Sequence, residues 1–568
     1  MQATTEYKHI PDRPQALDAG WVEARYAALL ERVSDADVAK EPDAWIALYE
    51  DWNATMAYVG GERARRHYRS MKDLRDEAAE AALREMRESI MPAAEDGDSA
   101  LNKRLLASPH ADAVGAHFGL QLLAVARVLE GPLDPLNKAL RVQTADLAAQ
   151  YDKLVGAAEV DVLGEQLTLA RARGKLSSDK PEERRAAYEA YYGWYRDHRD
   201  ELAQIYNQQV ALRDRMGRNL GHENFVPLGY DGMERTDYGP EEVARFHQAV
   251  LEYATPLLQR QHERQAEALG TPTLRPWDAG YYPGRTLPQD VCEPIDQQLD
   301  KAGRIFERLS PRLSAHFERM RSEGLIDLEN RKGKGAGAFC TSFPDEGRVA
   351  IFCNSTGDES DLATLTHEMG HAFQAWESQS IRSVQLQWPT SDAAEVHSMG
   401  MEFLALPYLD EFMDAEEAVR FIRARWSRAV SILCYVCLVD AFQTWVYKHP
   451  GASMDDRDTQ WIRLAERYMP GVDWSGEAEE YRHTRWYAQL HIFRYPFYYI
   501  DYALAETGAM QFALLDAQDH DACLQKYLAL CELGGTLSIT KMFAQAGLRS
   551  PFEKELMRDL MAHAEQQL

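Results

Sequence analysis

The sequence predicts a mostly α-helical protein with a small β-sheet next to its chemically most distinctive helix. Apolar residues recur at intervals of three and four over most of the 568 positions, which is the pattern of amphipathic helices. The clearest strand patterns are confined to residues 331–343 and 348–354, which a Pro-Asp-Glu-Gly turn joins. A hydrophobic content of 45% is enough for a large core and excludes a disordered or fibrous chain.

Helical periodicity accounts for most of the chain. A short alternation of apolar and polar residues at 158–169 predicts a small hairpin. A Ser/Asp/Pro cluster at 177–181 separates two helical stretches. We place a domain boundary there, between an N-terminal helical region, 1–180, and a domain that carries the chemistry, 181–568. The stretches with helical periodicity are 17–155, 181–219, 240–325 and 358–568.

The charge and the cysteine content indicate in which compartment the protein resides and which classes of partner it is not expected to bind. The 63 Lys and Arg against 90 Asp and Glu give a formal charge of −27, which disfavours binding to nucleic acid or to an anionic membrane. The seven cysteines are sparse and odd in number, so no disulfide framework is expected, and Cys434 and Cys437 are predicted to pack in an apolar helix. The first residues lack the apolar segment of a secretion signal, and no run of 18 apolar residues occurs. We therefore expect a cytoplasmic protein that binds neither membranes nor nucleic acid.

The strongest chemical signal is the motif His-Glu-Met-Gly-His at 367–371. Positions i and i+4 share one helix face, so His367 and His371 can direct ring nitrogens at one ion. Zinc binds imidazole at about 2.0–2.1 Å, and its catalytic sites use three protein ligands. Glu368 lies between the histidines and is the candidate general base. The alternative is a surface helix on which two unrelated histidines coincide.

Two glutamates compete to be the third ligand. Glu377 has the spacing of a metzincin ligand, but that geometry requires a glycine to break the helix, and this chain has Gln374 there. Glu395 follows a helix-start signal at 391–392, and a second helix packed on the first can bring its carboxylate to the ion. We choose Glu395. Glu402, two turns later on the same face, is predicted to orient a ligand imidazole; a surface carboxylate is the alternative.

A segment rich in histidine and tyrosine, 489–506, supplies candidate oxyanion donors. Imidazole and phenol groups are suitable donors to the oxyanion that forms when a peptide carbonyl is attacked. Tyr498 and Tyr502 have i, i+4 spacing, and Pro496 suits the first turn of a helix. An aromatic core stripe would give a similar pattern. The segment contains five such residues, His491, Tyr495, Tyr498, Tyr499 and Tyr502, and all but Tyr499 are candidates. His491 and Tyr495 are expected on the loop that enters the helix.

These motifs together resemble the oligoendopeptidase F and thimet oligopeptidase family of zinc metallopeptidases, which are of the gluzincin type. The segments that carry the resemblance are HEMGH, EVHSMGMEF, HIFRYPFYYIDYALAE, the glycine-rich strand before the zinc helix and LRDRMGRNLGHENF at 212–225. The resemblance covers roughly residues 180–560. It implies a two-lobed helical zincin fold with a deep channel that admits oligopeptides and excludes folded proteins.

The resemblance also assigns roles residue by residue. It implies one zinc ion held by His367, His371 and Glu395, with Glu368 as the catalytic glutamate. The transition-state donors fall on His491 and Tyr502. Whether Tyr495 or Tyr498 is the second tyrosine donor stays open, because the His-to-Tyr spacing varies among relatives. The match at Glu402 supports its predicted place beside a ligand.

The predicted function is therefore that of a zinc-dependent oligoendopeptidase, a metalloendopeptidase that cleaves internal bonds of oligopeptides and is expected to be monomeric. The strand near 337–341 could pair with the substrate backbone. A carboxydipeptidase or carboxypeptidase on the same scaffold is one alternative, for which Arg482, Arg485 or Arg494 would hold the free carboxylate of the substrate. A peptide-binding scaffold without catalysis is the other, although it would have no need of Glu368.

Overall fold

The computed structural model describes residues 10, 13–283, 292, 294–357 and 359–568. The chain forms two compact units, each built from separate stretches of sequence. The predicted domain boundary at residues 180 and 181 lies within a stretch of the second unit and stays a prediction. The first unit comprises Met1–Glu130, Pro288–Ala415 and Gly508–Leu548, and the second comprises Gly131–Leu287, Glu416–Thr507 and Arg549–Leu568.

The first unit is helical, with one small sheet. The long helix Asp43–Lys72 buries Trp45, Tyr49 and Trp52 in an N-terminal hydrophobic core. The mostly helical class that the sequence predicts is confirmed here and in the second unit. The helices of the first unit are Ala19–Glu31, Val33–Val38, Asp43–Lys72, Glu77–Glu85, Met91–Ala107, Ala111–Phe118, Leu120–Leu129, Ile295–Leu309, Pro311–Ser322, Glu359–Glu377, Ser391–Leu404, His520–Leu533 and Ile539–Gln545.

The sheet of the first unit has three strands and packs against helix Glu359–Glu377. Strand Arg348–Phe352 is central; it pairs antiparallel with Phe339–Phe343 and parallel with the two-residue strand Ile326–Asp327. The predicted pair of strands is thus present, next to the helix that carries the motif. The first strand is shorter than predicted: residues 331–338 are a glycine-rich loop, because Lys334 is drawn inward by the Asp327 carboxylate and three backbone carbonyls.

The second unit is helical and contains the predicted hairpin. Strands Glu159–Val162 and Glu165–Thr168 pair antiparallel, and Leu163 and Gly164 both adopt positive φ at the tight turn between them. The helices of this unit are Lys138–Gly156, Leu169–Gly174, Pro181–Asp197, Arg199–Asn219, Val226–Asp231, Pro240–Ala249, Thr255–Leu269, Ala415–Lys448 (beginning one residue before the unit), Met454–Tyr468, Leu490–Arg494 and Lys554–Gln567. Helix Ile500–Asp516 has residues in both units.

Helix Ala415–Lys448 is the one described helix that is long and apolar enough to cross a membrane. Two thirds of its most apolar window (67%) is buried within the protein, as in the core helix of a globular fold. Cys434 and Cys437 lie on it, buried and without a disulfide, which agrees with the predicted packing role.

Candidate active site

Helix Glu359–Glu377 carries the motif and buries most of its length. It begins at Glu359, next to the predicted start of helical periodicity at residue 358, which lies outside the described residues. Gly370 explains how a second helix reaches the motif: a Cβ at this position would lie 2.5 Å from the His397 carbonyl oxygen and 2.6 Å from the Ser398 Cα. The absence of a side chain at Gly370 therefore lets helix Ser391–Leu404 approach the histidines.

The close approach of the two helices brings three donor groups together, His367, His371 and Glu395, which we call the metal cluster. Glu395 Oε2 lies 3.4 Å from His367 Nε2 and 3.6 Å from His371 Nε2, and the three donor atoms are all within 4.8 Å of one another. Tetrahedral zinc with bonds of about 2.0–2.1 Å places neighbouring donors roughly 3.3–3.5 Å apart. The residues therefore fit a zinc ion in identity and in spacing.

Two polar side chains fix the orientation of the metal cluster. Glu402 Oε1 lies 2.8 Å from His367 Nδ1, which directs the other ring nitrogen of His367 towards Glu395. Glu402 is 5% exposed, so it is not the surface carboxylate that was its alternative. The Ser398 hydroxyl donates to Glu395 Oε2 at 2.9 Å. Such outer hydrogen bonds fix the orientation and tautomer of metal ligands.

The electrostatics of the metal cluster favour positive charge. Burial works against protonation of His367, yet the Glu395 and Glu402 carboxylates raise its pKa to about 10. Burial opposes ionisation of Glu395, but the hydrogen bond from His367 and the nearby His371 lower its pKa to about 2. Burial lowers the pKa of His371 to about 4, so this imidazole is neutral at pH 7. A cation is stabilised among these groups.

Glu368 has the properties of a proton acceptor. It is 6% exposed, and burial raises its pKa to about 7, against the opposing effect of His367. Its Oε2 accepts no hydrogen bond from the part of the chain that the structure describes. A general base works best when its pKa lies near the operating pH and its oxygen is available to the reacting proton.

Glu377, the competing candidate for the third ligand, has other partners, and so does His397 on helix Ser391–Leu404. Glu377 is buried at the end of the motif helix, where it pairs with His316 and Arg312, away from the metal cluster. His397 is fully buried, with its ring nitrogens near the carbonyls of Ala394 and Leu530. The helix of Glu395 begins at Ser391 with Thr390 as its N-cap, one residue before the predicted cap.

In the second unit, His491, Tyr498 and Tyr502 lie together, and we call them the donor segment. The hydroxyls of Tyr498 and Tyr502 are 3.1 Å apart, and the His491 ring lies 5.8 and 6.2 Å from theirs, centroid to centroid. Tyr495 is 53% exposed, and its ring lies 6.1 Å, centroid to centroid, from that of Tyr498. Tyr499 packs 4.7 Å from the His491 ring.

The local structure differs from the prediction. His491 belongs to a short helix, Leu490–Arg494, and is not on a loop. The helix expected from Pro496 onward begins only at Ile500. The intervening turn contains Phe497, a non-glycine residue with a φ of 66°. Such a backbone is strained and persists only when its surroundings hold it.

Buried arginines hold this turn, and one of them could not be predicted from the sequence. Arg235 donates to the Phe497 carbonyl at 2.6 Å and to Asp501 Oδ1 at 2.7 Å. Arg213 donates to the Phe493 carbonyl at 2.8 Å. Arg213 lies in the segment 212–225 that contributed to the family resemblance, whereas Arg235 stands outside every motif. A buried arginine that binds carbonyls leaves no periodic signal in a single sequence.

The hydrogen bonds of His491 define which of its nitrogens can donate. The Tyr435 hydroxyl donates to Gln489 Oε1 at 3.0 Å, so the Gln489 amide donates to His491 Nδ1 at 2.6 Å. Burial, with a contribution from Arg494, lowers the pKa of His491 to about 4. The ring is therefore neutral at pH 7 and carries its proton on Nε2, as a donor to an oxyanion requires.

The three arginines considered for carboxylate binding have different surroundings. Arg482 pairs with Glu466, and Arg494 pairs with Asp152 at 2.5 Å. Arg485 instead faces a cavity of about 530 Å³ in the second unit, with its guanidinium 5.6 Å from the centre of the Tyr435 ring. His491 lines the same cavity.

Comparison with known proteins identifies relatives over nearly the whole chain. The model of peptidase family M3 matches residues 175–562, and that of the peptidase M3 N-terminal domain matches 15–129. The chromosomal oligoendopeptidase F of Lactococcus lactis subsp. cremoris is 28% identical over 227 residues, which cover 38% of this chain and 34% of that relative. The chain thus aligns with about a third of that relative's length.

Solved structures resemble the chain over its full length. PZ peptidase A, solved with inhibitor 2, is 30% identical, with a TM-score of 0.88 and coverage of 98% of both chains. Oligoendopeptidase-F from Enterococcus faecium has a TM-score of 0.65 over 97% of this chain and 98% of its own. At 15% identity, the second likeness shows the fold alone.

Proposed function

The chain is a member of peptidase family M3, and therefore a metallopeptidase that hydrolyses peptide bonds, and we propose that it is a zinc-dependent oligoendopeptidase. The observation that carries this proposal is the metal cluster, His367, His371 and Glu395, which has the identity and spacing of a zinc site. We also propose that the protein is cytoplasmic and monomeric and that its substrates are oligopeptides.

In this proposal, the metal cluster holds zinc and Glu402 keeps the His367 imidazole in place. When bound, zinc would polarise the scissile carbonyl and lower the pKa of a water molecule. The short contacts of Glu395 with both histidines and the 2.8 Å distance from His367 to Glu402 support these roles. The neutral state of His371 at pH 7 supports its role as a ligand.

Glu368 is the proposed general base. It takes a proton from the attacking water and later transfers it to the leaving amine. Its burial, its pKa of about 7 and the Oε2 atom that accepts no hydrogen bond among the described residues all suit a group that gains and loses a proton during turnover.

The donor segment is proposed to stabilise the oxyanion that forms at the scissile carbonyl. His491 would donate from Nε2, and Tyr502 from its hydroxyl. Between the two open choices for the second tyrosine we propose Tyr498, because its hydroxyl lies 3.1 Å from that of Tyr502 whereas Tyr495 is largely exposed. One such donor contributes about 2.7–4 kcal/mol of transition-state stabilisation in comparable sites.

The sheet next to the motif offers a way to bind the peptide backbone. Strand Phe339–Phe343 is at the edge of its three-stranded sheet, so one of its sides is not paired with a neighbouring strand. We propose that an extended substrate adds to this edge, because main-chain pairing gives affinity with broad sequence tolerance.

The test is the hydrolysis of an internally quenched, C-terminally amidated oligopeptide before chelation, after it and after zinc is restored. We expect internal cleavage, identified from product masses, that a chelator abolishes and zinc restores. Cleavage only of peptides with a free C-terminal carboxylate would favour the carboxydipeptidase or carboxypeptidase, an alternative that the position of Arg485 in the cavity keeps open. A folded, zinc-loaded sample that cleaves nothing across a varied peptide pool would contradict the proposal and favour the peptide-binding scaffold.

A further inference from the structure

The cavity that Arg485 faces is strongly cationic. Its wall contains five arginines and no aspartate or glutamate side chain among the described residues. This is unusual in a chain with a net charge of −27. The arginines come from four separate elements of the second unit: Arg173 from helix Leu169–Gly174, Arg264 from Thr255–Leu269, Arg423 and Arg428 from Ala415–Lys448, and Arg485 from the turn Thr484–Trp486. We call this space the arginine cavity.

None of the five arginines forms an ion pair with a carboxylate in the part of the chain that the structure describes. Nearby arginines behave differently, since Arg482 pairs with Glu466 and Arg494 with Asp152. Like charges that share one cavity repel each other, and a bound anion relieves that repulsion. Guanidinium groups are also planar forks that match a carboxylate in two parallel hydrogen bonds.

The arginine cavity is continuous with one member of the donor segment. His491 and Tyr499 line it, as does Gln489, which orients His491. The Arg485 guanidinium lies 5.6 Å from the centre of the Tyr435 ring and 6.0 Å from that of the Trp474 ring. Arg485 thus lies within cation–π range of two rings and is hydrogen-bonded to Tyr192, and it has no carboxylate partner among the described residues.

We propose that the arginine cavity binds a carboxylate of the peptide substrate and so selects peptides that carry negative charge beyond the cleaved bond. The carboxylate is either that of the substrate's C-terminus or that of an acidic side chain. This inference rests on the proposed peptidase function, because a peptide held near His491 is the ligand that brings carboxylates to this wall.

The test uses four internally quenched peptides that differ in sequence at one position on the C-terminal side of the cleaved bond. That position is Asp in two peptides and Asn in the other two. Within each pair, one peptide has a free C-terminus and the other has an amidated C-terminus. The variant is the double substitution Arg423→Gln and Arg428→Gln. Both side chains are exposed, so their replacement does not disturb the core. The matched control is Arg463→Gln with Arg467→Gln, two exposed arginines outside the cavity whose loss changes the charge equally.

We expect the wild-type protein to cleave at least one carboxylate peptide with a kcat/KM about tenfold above that of the uncharged peptide. The double variant should reduce that ratio to about one or two, and the control should keep it. The pair of peptides that shows the preference identifies the source of the carboxylate.

Three results would contradict the inference, and they differ in whether they also contradict the peptidase function. Equal kcat/KM for all four peptides would overturn carboxylate selection and leave the peptidase function standing. No cleavage of any peptide by the zinc-loaded protein would overturn the peptidase function, and this inference with it. A preference that survives in the double variant would exclude the arginine cavity as its source and leave the peptidase function standing.

Discussion

In the first unit, the metal cluster comes from two successive helices, Glu359–Glu377 and Ser391–Leu404, whose backbones meet at Gly370. In the second unit, the donor segment depends on a strained turn at Phe497 that Arg235 holds from 262 positions away. The metal cluster is thus a local product of helix spacing, whereas the donor segment is a product of long-range hydrogen bonds. A reaction that uses both the metal cluster and the donor segment therefore depends on two independent sets of contacts: the packing of two helices and the hydrogen bonds of a distant arginine.

The largest expected effect on turnover comes from Glu368→Gln. The substitution keeps the shape of the side chain but removes the proton acceptor, so kcat should fall by about 10²–10⁴-fold. Bound zinc should stay at one ion per chain, because none of the three ligands of the metal cluster changes. Steady-state kinetics and metal analysis measure the two quantities. Glu416→Gln, on a largely exposed side chain, is the control and should be unaffected. Normal hydrolysis by the Glu368→Gln protein would exclude it as the base.

Arg235→Gln tests the long-range support of the donor segment. It removes a guanidinium from the Phe497 carbonyl and from the buried Asp501 carboxylate, a change that typically costs about 3–5 kcal/mol in the free energy of unfolding. We expect a lower Tm and a lower kcat in the folded protein, with unchanged zinc content. Arg235→Lys keeps the charge and should fold more readily while still losing kcat.

The control for Arg235 is Arg218→Gln, which removes an exposed guanidinium from its pair with the partly buried Asp214. Such a pair contributes about 0–1 kcal/mol, so both Tm and kcat should stay near the wild-type values. If the Arg235 variants lose zinc in proportion to kcat, the two sites do not have independent support and the comparison fails.

Gly370→Ala tests the local support of the metal cluster. The added Cβ would meet backbone atoms of His397 and Ser398, which cannot move aside as a side chain can, so the two helices must separate. Overpacking of this kind costs about 1–3 kcal/mol, and the displacement of Glu395 should weaken zinc binding by about tenfold or more. Competition with a metal chelator measures that affinity.

Gly60→Ala is the matched control for Gly370, since both glycines lie inside helices of the first unit. A Cβ at Gly60 meets nothing within 4 Å. Alanine there should raise the free energy of unfolding by roughly 0.4–1 kcal/mol and leave zinc affinity unchanged. Equal zinc affinity in both variants would show that the close approach at Gly370 does not set the position of Glu395.

The same contrast explains which features could be predicted from the sequence. His367, His371 and Glu395 follow from helix spacing and a helix-start signal, and the strands at 339–343 and 348–352 follow from local alternation. The positive φ of Phe497 could not be predicted, because it depends on Arg235, which is distant in the sequence. The arginine cavity was equally hidden: only Arg485 lies near a motif, and the remaining four arginines converge from three other elements.

The smallest expected effect concerns pH and the donor segment. Burial holds the pKa of His491 at about 4, below its ordinary 6.5, so the unfolded chain takes up a proton at this residue before the folded chain does. The contribution of His491 to stability is therefore complete above pH 6.5 and is lost as the pH falls towards 4. At about pH 5 the loss is at most about 2 kcal/mol, and solvent screening of a half-buried ring makes it smaller.

His491→Asn should therefore lose less stability than the wild type between about pH 7.5 and about pH 5. The comparison uses the change in Tm between the two pH values, so the loss of the Gln489 hydrogen bond, which acts at both, largely cancels. His449→Asn, at an exposed histidine of the same unit, should keep the wild-type pH dependence. If the His491 variant also keeps the wild-type pH dependence, burial does not hold this imidazole neutral. The proposal that His491 donates from Nε2 would then lose its physical basis. The assignment of the metal cluster in the first unit does not depend on that result.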